Sequence, residues 1–231
     1  MAPWFYAVLL GLWAHFMVPA AAPAAEPPRA AVSVAAVGDI MLGSDFPTPR
    51  LPPDDGQGLL DPAKDLFRQA DVSFGNLEGV LADGGVCVKN TDSPNVYAFR
   101  TPTRFAARLK DAHLKVVSLA NNHAMDFGPG GHAATKAALR EAGVRFSAKD
   151  GEVAEFAVGG VKVGLLAVSF GPPPRSLIQP QEVFREIESL APRYDVLIIS
   201  IHGGKEGRGA LHVRDEAEYF LGEPRGNLVR F

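Results

Sequence analysis

Cysteine is all but missing: Cys87 is the only one in 231 residues. A single thiol builds no internal disulfide framework, and it excludes the thiolate-rich sets that hold structural zinc. It lies far from the N-terminus, which excludes lipid attachment through a leading cysteine. Basic clusters are missing too. The formal net charge is -3 and the isoelectric point is near 6.1. No run of lysine and arginine offers the electrostatic footprint that a polyanion requires, so we expect no nucleic-acid partner. Fixed-period repeats are also absent, and charged residues at 21% with hydrophobic residues at 47% exclude fibrous and disordered classes. The length suits one substantial core, and 24 glycines with 19 prolines point to many loops.

No lysine or arginine precedes the first apolar run, "WFYAVLLGLWAHFMV" from Trp4 to Val18, and the first charged side chain is Glu26. Small residues follow, suited to cleavage after Ala22, Ala24 or Ala25. We expect residues 1–25 to be a secretory signal peptide or an N-terminal anchor, 26–31 a linker, and 32–231 the folded domain. Either form of leader puts that domain outside the cytoplasm: extracellular, periplasmic or on the outer face of the membrane.

What is present beyond the leader alternates. "AVSVAAVGDIML" reads as a strand covered on both faces. "DPAKDLFRQA" reads as a helix capped by Asp61, and "TPTRFAARLKDA" as one capped by Thr101, each followed by proline. "DVSFGNLEGVL" and "LKVVSLAN" are strands, and Gly130 to Ala142 an alanine-rich helix closed by Gly143. "EFAVGGVKVGLLAVSF" is a hairpin turning at Gly159-Gly160. "PQEVFREIESLA" is a helix with Val183, Ile187 and Leu190 on one face, and "YDVLIISIHGG" is the last clear strand. Such alternation predicts an α/β fold with a largely parallel sheet and some antiparallel pairing.

The strands end alike. Asp39 follows "AAVG", Asn76 and Glu78 lie in "SFGNLE", Asn121, Asn122 and His123 follow "VVSLA", and His202 follows "IISI". Ligands of open α/β sheets bind in the crevice at the carboxyl ends of strands. Taken singly, each residue has a structural explanation: Asp39 can cap a turn, Asn121 or Asn122 can satisfy loop backbone, Asp126 can do so before the helix, and each histidine can be a hydrogen-bonded core residue. Together, four independent segments place coordinating groups at equivalent ends. Carboxylate, amide oxygen and imidazole suit divalent Mn, Fe, Zn or Co, and such ions lower the pKa of bound water to about 7 in favourable sites. Glu78 is placed to bridge a pair of them. His15, His113, His132 and His212 lie outside this pattern.

The motifs "VGDIMLG", "NLEG", "YAFRTP", "VSLANNHAMDFGPGG" with its following "T...L...G", and "DVLIISIHGGKE" resemble, in order and spacing, the CapA family of poly-gamma-glutamate capsule biosynthesis proteins. The likeness spans about Val32 to Glu206. That family is similar to the calcineurin-like metallophosphoesterases, which implies a layered sheet sandwich flanked by helices. It implies metal-ligand roles for Asp39, Glu78, Asn122 and His202, with two ions in a complete site, and His123 as a catalytic acid. Asn76 then supports Glu78, while Asn121 and Glu206 are supporting or substrate-binding positions. Ser44 stands where the family pattern has arginine, and Gly203 where it has an aromatic residue. The pattern also continues into a further strand closing on a Gly-His-x-Pro-His type motif, whereas this chain reaches Phe231 in what reads as the helix leading there. The expected fold is therefore C-terminally incomplete. Two functions follow from the resemblance. One is an exported metal-dependent hydrolase acting on a phosphoester, or on the amide of a gamma-linked peptide. The other is a non-catalytic subunit of a membrane-bound synthesis or export complex that binds an anionic polymer.

Overall fold

A computed structural model describes residues 31–231. The expected signal or anchor, and the linker apart from Ala31, lie outside the described residues. In chain order the elements are β1 (Val34–Ile40), α1 (Asp61–Gln69), β2 (Val72–Leu77), β3 (Val80–Leu81), β4 (Arg100–Thr101), α2 (Ala106–Asp111), β5 (Val116–Ser118) and α3 (Gly128–Ala142). They continue with β6 (Arg145–Ser147), β7 (Ala154–Val158), β8 (Val161–Ser169), α4 (Pro180–Leu190), β9 (Val196–His202), β10 (Glu218–Phe220) and β11 (Glu223–Gly226).

Two sheets carry the site. One is wholly parallel, in the order β1-β2-β5-β6. The other is β7-β8-β9, antiparallel at the expected hairpin and parallel between β8 and β9. The hairpin turns at Gly159 and Gly160, both at positive φ. Side chains alternate across each strand, so each sheet faces two layers. Val116 and Val72 of the first sheet pack with Val163 and Leu165 of the second. Val117 and Leu77 point the other way, to Leu109 and Leu139 of α2 and α3. Leu166 and Val168 turn from the inter-sheet layer to Val183 and Leu190 of α4, which Ile187 joins. The result is the expected layered sandwich, helices outside and sheets inside.

Several local expectations are corrected. β1 is not covered on both faces: it is the edge of its sheet, and Val34 and Val37 are exposed. An unbroken apolar run specifies a strand but not its place in the sheet. Asp61 begins α1 rather than capping it, because a backbone turn with Asp61 N–H bonded to the Gly58 carbonyl at 3.1 Å leads in. Thr101 belongs to β4, and its hydroxyl donates to the Gly43 carbonyl at 2.6 Å. The strand "DVSFGNLEGVL" breaks at Glu78-Gly79 into β2 and β3. β6 carries no signal in the sequence, since three residues give no period to read. Beyond β9 the described residues hold no α-helix; a hairpin of β10 and β11 occupies the segment expected to be helical.

The inter-sheet layer supplies the stability that holds both sheets in place. Replacing the fully buried Leu165 by alanine should cost about 2–5 kcal/mol in urea unfolding. The exposed Ile201→Ala should stay within about 0.5 kcal/mol of the parent, and equal losses would contradict this layering.

Candidate metal centre

Because β1, β2 and β5 are parallel, their carboxyl ends share one edge, and β9 delivers its own end there from the second sheet. Asp39 is in direct register with Asn76. Accordingly the Asn76 amide N–H donates to Asp39 Oδ1 at 2.7 Å, and its nitrogen lies 3.2 Å from His202 Nδ1. Its oxygen accepts from the Asn121 amide at 3.0 Å. Asn76 therefore supports Asp39 and His202 rather than Glu78, a correction that follows from register.

Asp39, Glu78 and His202 each present a ligand atom within 4.8 Å of the others. His202 Nδ1 is 3.4 Å from Asp39 Oδ1, and its Nε2 is 2.9 Å from Asn122 Oδ1. Asn121 is turned away: its amide also donates to the Leu77 carbonyl, and its oxygen accepts the His123 backbone N–H. The two neighbouring asparagines thus divide the work, Asn121 fixing the loop and Asn122 facing the cluster.

The carboxylates are unequal. A hydrogen bond with His202, opposed by partial burial and aided by Asn76, holds Asp39 down at about 2 from an ordinary 3.8. Burial pushes Glu78 up, and the charge of Asp39 beside it pushes the same way. Two carboxylates are crowded where only imidazole balances them, which is the arrangement a cation relieves. The donor set of oxygen and imidazole nitrogen without thiolate fits a divalent ion of the Mn, Fe, Zn or Co type.

His123 approaches from the side, with Nε2 3.6 Å from Glu78 Oε1. Its Nδ1 sits 2.8 Å from Oδ2 of Asp126, whose side chain is fully buried. From its place before the helix, Asp126 is expected to satisfy loop backbone. It does accept the Phe99 backbone N–H at 2.7 Å, and it also pairs with Lys89 Nζ at 2.6 Å. Lys89 Nζ lies 3.2 Å from His123 Nδ1 as well. An ammonium only donates, so with Nδ1–H directed at Asp126 the partner of Lys89 is the carboxylate. The Phe99 ring packs on the imidazole at 4.4 Å between centroids. The one available signal for Asp126 is its position three residues after His123, which puts both in one turn.

Glu206 stands across a cavity of about 550 Å³ whose lining includes Glu78, Asn122 and His123. There it pairs with Arg225 Nη1 at 2.6 Å, and Arg225 also reaches Glu223 at 3.1 Å. His132, by contrast, sits 3.6 Å from Asp150, outside the cluster.

Residues 33–216 match the family model described as bacterial capsule synthesis protein PGA_cap. The chain belongs to that family. No curated protein matches it. Family membership connects the chain with capsule synthesis, and the sandwich is the metallophosphoesterase-like fold expected of such proteins. Two of the departures from the family pattern have structural accounts. A Cβ on Gly203 would meet Leu177 and, at 3.0 Å, the Arg225 carbonyl, because β11 passes there. Ser44 uses its hydroxyl locally, donating to the Phe46 carbonyl and accepting from the Arg100 N–H.

A raised carboxyl stabilises the fold below its unfolded pKa of about 4.5, and that contribution is lost as pH rises through the folded value. In chelator-treated protein at pH 7, Glu78→Gln should therefore raise Tm. The gain should vanish near pH 3.5. A lower Tm for the variant at pH 7 would show that Glu78 is not electrostatically crowded.

Proposed function

We propose that this member of the family is an exported, metal-dependent hydrolase of phosphoester type that acts in capsule synthesis, poly-gamma-glutamate being the polymer the family resemblance suggests. The observation that carries the reading is the meeting of Asp39, Glu78 and His202 at one point, beside a buried His123–Asp126 pair. Asp39, Glu78, His202 and Asn122 would hold the metal. Bound there, a divalent cation supplies Lewis acidity toward a phosphoryl oxygen and acidity to a coordinated water.

The chain's own groups do the rest. Asp126 keeps the Nδ1 proton of His123 in place, so Nε2 is the nitrogen that faces the cavity and hands a proton to the leaving oxygen. Phe99 covers one face of that imidazole and limits water around it. Asn76 and Asn121 form the hydrogen-bonded frame behind the ligands. Export rests on the apolar segment and cleavage residues before Glu26. No helix among the described residues is long and apolar enough to cross a membrane.

The alternative, a non-catalytic subunit of a membrane-bound complex that retains an anionic polymer, has less support. Among the described residues lining the cavity, the two cations Lys89 and Arg225 are already matched by carboxylates.

Elemental mass spectrometry on the purified chain should find divalent metal, with loss in His202→Ala and in Glu78→Ala. His123→Ala should keep its metal while turnover of a phosphodiester falls by about 10²- to 10⁴-fold. A folded parent that takes up no metal would end the hydrolase reading.

A further inference from the structure

The cavity beside the metal centre has an apolar wall that the chemistry above does not use. Tyr97 and Leu221 line it, and each is 60% exposed. Tyr97 comes from the long loop between β3 and β4. Its ring lies parallel to that of Phe99, 6.5 Å away and tilted by only 5°, and Phe99 in turn packs on His123. An aromatic series therefore leads from an exposed ring to the imidazole.

Leu221 is held there against local preference. With Gly222 it forms the two-residue turn between β10 and β11, and both residues have positive φ, 50° and 82°. Asn-Gly is the relaxed choice for such a turn, and a branched apolar side chain is strained in it. A strained, exposed leucine lining a cavity calls for a ligand more than for a fold.

The charges of the wall narrow what that ligand is. Lys89 is paired with Asp126, and Arg225 with both Glu206 and Glu223, so among the described lining residues no cation is without a carboxylate partner. Arg225 with its two glutamates leaves a net negative charge at the rim. A second anionic group on the substrate, beyond the phosphoryl group at the metal centre, meets repulsion there.

We infer that the leaving group of the substrate is an uncharged ring with an apolar face, seated against Tyr97 and Leu221 next to His123. This rests on the hydrolase reading above. In the reaction a water oxygen bonds to phosphorus and the bond from phosphorus to the ester oxygen that bears the ring breaks. The ring alcohol departs with the His123 proton, and the water's proton passes to solvent. Aromatic and pyranose rings share the required face, one offering an arene and the other its axial C–H groups.

Calorimetric titration of the full chain with manganese present separates the possibilities, using inorganic phosphate, methyl phosphate, phenyl phosphate and glucose 1-phosphate. At least one ring ester should bind about tenfold more tightly than methyl phosphate, as a stacking contact provides. Tighter binding of glucose 1-phosphate than of phenyl phosphate would identify a sugar, and the reverse an arene. Tyr97→Ala and Leu221→Asn should both abolish the ring preference while keeping affinity for inorganic phosphate. Leu221→Asn suits the turn, so unfolding does not explain its loss. Equal binding of ring and methyl esters, with phosphate retained, overturns the leaving-group inference and leaves the hydrolase reading intact. No binding of any phosphate overturns both. A gamma-linked glutamate oligomer that outcompetes both ring esters overturns the inference in favour of polymer binding.

Discussion

His202 is carried by the three-stranded sheet, and Asp39, Asn76, Glu78 and Asn122 by the four-stranded one or the loops at its end. The packing of Val72, Val116, Val163 and Leu165 between the sheets therefore decides whether these groups meet. Sheets stacked face to face stand about 10 Å apart, a spacing set by the apolar side chains that interdigitate between them, and at the strand ends the same spacing separates the polar groups of the two edges. Asn76 closes the remaining gap, with one amide nitrogen turned to Asp39 in its own sheet and His202 in the other. A change in inter-sheet packing far from the cluster is thus a change in ligand spacing. For that reason core and site are not separable in this fold.

The electrostatics of the cluster run against the stability of the metal-free chain. Asp39 is well served by His202 and Asn76, yet its charge and the burial of Glu78 leave the second carboxyl poorly solvated. Placing two acids where one is already satisfied gives the fold nothing. Asp126 solves the opposite problem: fully buried, it would be costly alone, but Lys89, the Phe99 N–H and His123 surround it. One carboxylate is left wanting a cation, and the other is neutralised so that an imidazole stays oriented.

Strand-end residues were legible because each follows an apolar run directly, and Asp39, Glu78, Asn122, His123 and His202 needed only the parallel topology to be brought together. Residues that reach the site through long loops were not legible. Lys89 belongs to the segment between β3 and β4, which has no regular structure to anchor a spacing argument, and Asp126 contacts Phe99 from 27 residues away. The pairing of Glu206 with Arg225 depends on the β10–β11 hairpin, whose turn carries Leu-Gly in place of the usual Asn-Gly signal. The same failure of local grammar hid the hairpin and marked Leu221. The edge position of β1 was illegible for another reason, since burial depends on neighbours that the run itself does not name.

The hairpin also braces the strand end that carries His202. Its Arg225 backbone carbonyl accepts the Gly204 N–H at 3.0 Å, two residues past His202, and its guanidinium lies 4.0 Å over the ring of Phe170, which stacks on His202. One arginine thus packs against the second sheet behind a metal-ligand candidate and holds Glu206 and Glu223 at the cavity rim. Its charge is spent on that scaffold. A free guanidinium would have made the cavity a receptor for polyanions; a paired one makes it a wall, and selection at the wall falls to Tyr97 and Leu221.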